Sequence, residues 1–249
     1  MNSHNVGLLI PCTSKGRELW NSMNDTYLMN LTLKHLLLTQ DKEHNYIVYI
    51  GYDFDDRIFS SAEQQDKIKR FSLVFKNVSF KFIEYTDIPK GHVTKMWNIL
   101  FKNAYDDGCD YFYQCGDDIV FHTKGWINDC INILKIHNDI GLAGPINNNH
   151  LILTQAFVSR KHMEIFGWFF PEEIINWGCD DWYNHVYKPN MFYPLSTHFC
   201  SNDGGAPRYT INNDPQYTLN IKYNTHLIRK NAYNLAFKHK ILIENYLNK

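Results

Sequence analysis

Two pairs of adjacent aspartates carry most of the chemistry available to this chain. Asp117 and Asp118 follow the apolar run Tyr111-Phe-Tyr-Gln-Cys-Gly116 and precede Ile119-Val-Phe121, while Asp180 and Asp181 stand in Asn176-Trp-Gly-Cys-Asp-Asp-Trp182. A carboxylate delivered by a buried strand is costly unless it is paired or meets a cation. Hard divalent cations take carboxylate oxygens together with substrate oxygens, so the first pair suits a metal that holds the phosphates of a nucleotide. An Asp-Asp pair alone serves equally well as a turn or a helix N-cap. The position of Asp117 and Asp118 at the mouth of a strand favours the ligand role.

The elements that must position these acids are legible as alternating patterns. A buried strand over 6–10 ends at Pro11 and opens into the polar loop Cys12-Thr-Ser-Lys-Gly-Arg17. Leu19, Met23, Tyr27, Leu28, Leu31 and Leu38 recur at helical spacing and predict a helix after it. Further strands are expected over 46–52, running into Asp53, over 79–85, and over 111–115, with helices near 62–70 and 93–105 between them. Strands alternating with helices imply right-handed crossovers and a mainly parallel sheet, whose ligands gather beyond the carboxyl ends of the strands. Beyond Lys124 the pattern predicts helices at 125–137, 160–166 and from Asp180, and strands at 141–145, 151–158 and 191–198. A loop rich in Gly, Pro, Asn and Asp over 201–217 is expected to be either a lid or disordered, and a last helix covers 225–247.

Composition excludes several classes. The 25 Lys and Arg nearly balance the 26 Asp and Glu, which argues against an electrostatic nucleic-acid binder. The six cysteines are scattered without a CxxC pair, as expected of reduced thiols in a cytoplasmic protein. Neither an export signal nor an apolar run of about 20 residues is evident, so no integral membrane segment is expected.

Gly116-Asp117-Asp118-Ile119-Val120-Phe121 resembles the DxD or xDD metal motif of the GT-A glycosyltransferases. Leu8-Leu-Ile-Pro-Cys-Thr-Ser14 resembles the first strand and loop of the family 2 enzymes, and Ile50-Gly-Tyr-Asp53 their second strand. Downstream, 156–169 followed by Asn176-Trp-Gly-Cys-Asp-Asp181 is similar to the acceptor-side block of family 2 and of the β-1,4-galactosyltransferases, with Asp180 in place of a Glu. The resemblance spans most of 6–198. It implies one α/β domain over 1–249 with the GT-A, nucleotide-diphospho-sugar transferase fold: a mainly parallel central sheet flanked by helices. Residues 1–123 would bind the nucleotide sugar, 124–200 would form the acceptor side, and 201–249 would supply the loop and terminal helix.

The same resemblance implies roles. Asp118 with Asp117, and His198 from a late strand with His226 in reserve, would hold Mn²⁺ or Mg²⁺, and Asp117 would also reach the donor. Pro11, Thr13, Arg17, Asp53, Lys95, Asn98 and Arg208 would contact a nucleotide-sugar donor, expected to be a UDP-sugar. Trp177 and Gly178 would shape the acceptor loop for a glycan, glycoprotein or glycolipid. An attacking hydroxyl must lose its proton, so Asp181 is the expected general base, with Asp180 beside it and inversion the preferred stereochemistry. A dinucleotide oxidoreductase would need GxGxxG after the first strand, which Cys12–Arg17 lacks, and a nucleotidyltransferase would need a glycine-rich loop with Arg and Lys where Cys12–Arg17 supplies one glycine. A sugar-nucleotide nucleotidyltransferase and a non-catalytic nucleotide-sugar or glycan binder on the same fold are the alternatives.

Overall fold

The computed structural model describes residues 3–89, 91–149, 151–205 and 221–249, with side chains of the last segment from 226 onward. Eight strands form one curled sheet in the order β3-β2-β1-β4-β7-β6-β8-β5. Its first half is parallel: β1 (Asn5–Cys12) pairs with β2 (Asn45–Asp53) and β4 (Tyr111–Gln114), and β2 pairs with β3 (Val78–Tyr85). The second half mixes directions. β7 (Ala156–Ser159) runs antiparallel to β4 and to β6 (Leu142–Ile146), β8 (Phe192–Asn202) runs parallel to β6, and β5 (Ile119–Phe121) closes the edge antiparallel to β8.

Strand alternation distributes the apolar residues between two cores. Leu8, Ile10, Val48, Ile50 and Tyr113 point to one face, where α4 (Trp126–Ile136) covers them with Trp126, Ile127 and Leu134. Leu9, Tyr49 and Phe112 point to the other, against Leu100 and Phe101 of α3 (Val93–Asp106) and Trp182 of α6 (Cys179–Tyr187). Each fully buried Leu or Phe contributes about 2 kcal/mol through removal of apolar surface from water. β1 is buried on both faces, which explains its unbroken apolar run, whereas β3 at the edge alternates buried and exposed positions.

Two expectations are corrected. The helical spacing from Leu19 to Leu38 does not make one helix: Leu19 is 90 % exposed, and regular winding begins only at Leu28. The Arg57 guanidinium donates to the carbonyls of Arg17 and Trp20 and holds 17–21 as a loop, and Ser22 with Asp25 caps a short turn. Leu28–Leu33 is then wound as a wider π-type segment before α1 (Lys34–Thr39). The strand expected over 151–158 starts only at Ala156. Upstream, the Asn147 and Asn149 side-chain oxygens accept from the backbone N–H of Asn149 and Leu151, which turns the chain away from the sheet.

Helices α2 (Ala62–Lys69) and α5 (Lys161–Phe166) flank the sheet, and the terminal helix α7 (Ile221–Leu247) packs on α6. All six cysteines are buried and unbonded. No described helix is long and apolar enough to cross a membrane. The α6–α7 contact depends on Gly178, which caps α6 at φ +90°; a Cβ there would lie 2.9 Å from Ile228 Cγ2. Gly178→Ala is expected to lower stability by about 2 kcal/mol through backbone strain and this collision, and to raise proteolytic cleavage within α7. Chemical denaturation and limited proteolysis measure both, and a wild-type profile would remove Gly178 as the docking point.

Candidate active site

The first acid pair sits in the tight turn between β4 and β5. Four contacts hold that turn. Cys115 N–H donates to the Leu9 carbonyl at 3.3 Å, and the buried Thr32 hydroxyl donates to the Gly116 carbonyl at 3.2 Å while accepting from Ile119 N–H at 2.8 Å. From the β8 side, Asp203 N–H donates to the Asp118 carbonyl at 3.0 Å. The side chain of Asp118 occupies space left by two glycines: a Cβ on Gly116 would lie 2.5 Å from Asp118 Oδ1, and one on Gly204 would collide with the same carboxyl. Asp117 is fully buried beside it. Thr32 was invisible as a site residue in the sequence, because its role depends on the wide helical segment that turns its hydroxyl toward the turn.

A cavity of about 540 Å³ opens beside this turn. Gly116, Asn202, Trp177, Gly178, Asp180 and Asp181 all line it, so the fold brings the Gly116 turn, though not the Asp117 and Asp118 side chains, to one space with the second acid pair. α6 starts at Cys179, which places Asp180 and Asp181 in its first turn, where carboxylates meet the positive end of the helix. The Asp180 carboxyl accepts from the Tyr183 hydroxyl at 3.3 Å and the Cys179 thiol at 3.5 Å. Burial nevertheless pushes it up to about 7, and neighbouring Asp181 adds to the rise. Burial also raises Asp181, but Arg229 of α7, 3.8 Å away, and His185 work against the rise. Trp177, 48 % exposed, projects at the rim. Arg229 escapes sequence reasoning because it is distant in the chain and belongs to no motif.

A second cleft, about 330 Å³, lies at the ends of β1 and β2 and is lined by Thr13, Ser14, Lys15 and Asp53. Its organiser is the buried Asp56. The Asp56 carboxylate accepts from Ser14 N–H at 2.6 Å, the Ser14 and Thr13 hydroxyls, and the backbone N–H groups of Ile58 and Phe59. It therefore ties the loop after β1 to the loop after β2. Pro11 sits on β1 opposite Gly51, one step before that loop.

Other expected site residues lie elsewhere. Arg17 donates to the Gly204 carbonyl at 3.1 Å and lies over Tyr27, so it links the first loop to the Asp118 cradle. Lys95 pairs with Glu172 at 3.4 Å in a separate groove, away from both acid pairs. Asn98 is structural: its amide oxygen accepts from Phe169 and Phe170 N–H, and its amide nitrogen donates to the Phe170 carbonyl. His198 is not brought to the acid turn. The β5–β8 register sets it five residues from the position opposite Asp118, roughly 16 Å along the strand. Its ring nitrogens meet Asp129 at 2.8 Å and Thr123 at 3.0 Å instead. His226 is exposed on α7. Arg208 and most of the loop 201–217 lie outside the described residues. Among the described residues no three His, Cys, Asp or Glu side chains form a group that could hold a metal ion. Asp117 and Asp118 offer carboxylate oxygens, the donors that a hard divalent ion takes.

No protein-family profile and no curated protein sequence matches this chain. Solved structures do. TarS 1–349 from S. aureus in complex with UDP-GlcNAc aligns with a TM-score of 0.56 at 14 % identity, over 94 % of this chain and 73 % of that one. The same protein in complex with UDP gives 0.53 at 13 % identity, over 94 % and 72 %. Against a longer TarS chain the TM-score is 0.51 at 12 % identity; 78 % of this chain aligns, spanning 36 % of that one. The fold is thus the GT-A fold expected from the sequence, with a mixed second half to the sheet.

Asp180 makes the site testable through stability. Its folded value near 7 lies above the ordinary 3.8, so the folded state holds the proton longer than the unfolded one. The contribution of Asp180 to stability is therefore greatest below about pH 4, falls as pH rises to about 7, and carries the full cost of the buried charge above that. Asp180→Asn is expected to stabilise the protein at pH 8 on the order of 2 kcal/mol, with no gain at pH 4. Denaturant melts at the two pH values check this, and an equal effect at both would contradict the raised carboxyl.

Proposed function

We propose that the chain is a metal-dependent glycosyltransferase that moves a sugar from a UDP-sugar to an acceptor hydroxyl with inversion. The observation that carries this reading is the single cavity shared by the Gly116 turn and the Asp180–Asp181 pair. The likeness to chains that hold UDP-GlcNAc and UDP supports it at the level of fold.

In this reading the cleft of Thr13 and Asp53 takes the nucleoside, and Asp56 keeps its two loops in register before substrate arrives. Asp118 and Asp117 hold a divalent cation, Mn²⁺ or Mg²⁺, which when bound stabilises the charge on the diphosphate leaving group. Arg17, bonded to the Gly204 carbonyl, keeps the first loop against the Asp118 cradle. Across the cavity, Asp181 accepts the proton of the attacking hydroxyl. Arg229 beside it favours the ionised form that a base needs. As the acceptor oxygen bonds to the anomeric carbon, the bond from that carbon to the phosphate oxygen breaks and its electrons leave with UDP. A single displacement from the opposite face inverts the centre. Asp180, whose charge is costly, orders the first turn of α6 through Tyr183. Trp177 offers an exposed aromatic face on which a sugar acceptor can stack.

Two substitutions separate the halves of the site. Asp118→Ala should abolish the Mn²⁺-dependent rise in melting temperature produced by UDP, and an undiminished rise would remove Asp118 as a ligand. Asp181→Asn should keep that rise and lose transfer by about 10³-fold or more, since general-base assistance contributes on the order of 10² to 10⁴. Wild-type turnover of this variant in a sugar-transfer assay would refute its role as base.

A further inference from the structure

The wall of the cavity between the two acid pairs is built largely from side-chain amides. Gln114, Asn147, Gln155, Asn176 and Asn202 all line it, and its charged lining residues among those described are Asp180, Asp181 and Arg229. Two of the amides stand out. Gln114 Oε1 and Asn147 Nδ2 are buried without a hydrogen-bond partner, on side chains 1 % and 3 % exposed. Buried polar atoms are almost always paired, because an unmade bond costs the full desolvation of the group. Gln155, by contrast, is satisfied, since its oxygen accepts from Thr154 and Cys200.

The orientation of Asn147 is set by the chain itself. Its oxygen accepts from Asn149 N–H at 2.7 Å, which leaves the nitrogen as the unpaired group. Topology places the two orphans on one edge of the sheet. β7 lies between β4, which ends at Gln114, and β6, and the register sets Gly144 level with Gln114, so Asn147 stands two strand spacings across and three residues along, roughly 14 Å away at the backbone. Both side chains line the one cavity. Gln114 also precedes the acid turn by two residues, which puts this wall next to the diphosphate end of a donor.

We infer that this amide wall is the subsite for the transferred sugar, that the sugar is uncharged, and that Gln114 and Asn147 determine its specificity. The inference rests on the nucleotide-sugar reading above. Gln114 accepts from a hydroxyl or amide N–H of the ring, and Asn147 donates to an oxygen on its other side. A sugar bearing a carboxylate is rejected, because it meets two acids and the one arginine is already engaged with Asp181. Sites that hydrogen-bond a substrate discriminate strongly against analogues that leave their buried groups unpaired.

The test uses the full chain with Mn²⁺ and four ligands: UDP, UDP-glucose, UDP-N-acetylglucosamine and UDP-glucuronic acid. Wild type should be stabilised by UDP, further stabilised by at least one neutral nucleotide sugar, and no further by UDP-glucuronic acid. Gln114→Met keeps the volume and removes the orphaned atom. It should match or exceed the wild-type melting temperature without ligand, keep the UDP shift, lose the sugar increment, and raise the donor KM about 10-fold. Asn147→Asp, which keeps the bond to Asn149 N–H but replaces the donor with an acceptor, should lose the same increment. A fall of several degrees in the ligand-free Gln114→Met protein, an intact sugar increment in both variants, or an equal increment from UDP-glucuronic acid would overturn the inference while leaving the nucleotide-sugar reading standing. Wild type that responds to neither UDP nor any nucleotide sugar would overturn both.

Discussion

The site depends on how the chain turns between β4 and β5. Asp118 fits there only because Gly116 and Gly204 have no side chains, and the backbone around it is held from β1, from the Thr32 hydroxyl and from Asp203 at once. These anchors come from three separate stretches of sequence. A turn so held does not relax when a charged ligand arrives, and preorganised polar groups act without a reorganisation cost during reaction. The same fixation carries the fully buried Asp117 into the interior, where a carboxylate is sustained only by its surroundings.

A second constraint runs across the cavity. Asp180 and Asp181 are adjacent acids in the first turn of one helix, and burial raises both. Arg229 offsets the cost for Asp181 from a helix that docks on Gly178, so the ionisation of Asp181 is coupled to the seating of α7. Asp180 has no cation of its own among its influences and sits near 7, a value that destabilises the fold at neutral pH. Charges retained against stability in a cavity wall are the usual mark of a working site. The amide wall between the acid pairs repeats this on a smaller scale, with two polar atoms left unpaired where apolar residues would have been more stable.

Between these two regions, Asp56 performs a structural task that resembles a functional one. It is a buried acid in a cleft beside Asp53, yet its oxygens are occupied by two hydroxyls and three backbone N–H groups. Its saturation distinguishes it from Asp180, whose bonds to Cys179 and Tyr183 are weak and long by comparison.

Periodicity alone was enough to specify most of the elements, the parallel first half of the sheet and the strand-end position of Asp117 and Asp118, because these follow from local alternation of apolar and polar residues. It also kept Trp177, Gly178, Asp180 and Asp181 together, since they are neighbours in the chain. It failed where an outcome depends on partners distant in sequence. The Leu19–Leu38 pattern reads as a helix until Arg57 pins the carbonyls of its first third, and Asn98 reads as a ligand until the 169–170 backbone consumes its amide. Strand register, which no local pattern encodes, sent His198 to Asp129 rather than to the acid turn. Thr32, Gln114, Asn147 and Arg229 acquire meaning only when the sheet curls and α7 docks. The amino-acid order thus determined which acids leave the strands, while tertiary packing decided that the Gly116 turn shares a cavity with Asp180 and Asp181 and which polar groups line it unpaired, because hydrogen-bond satisfaction is a property of neighbours in space.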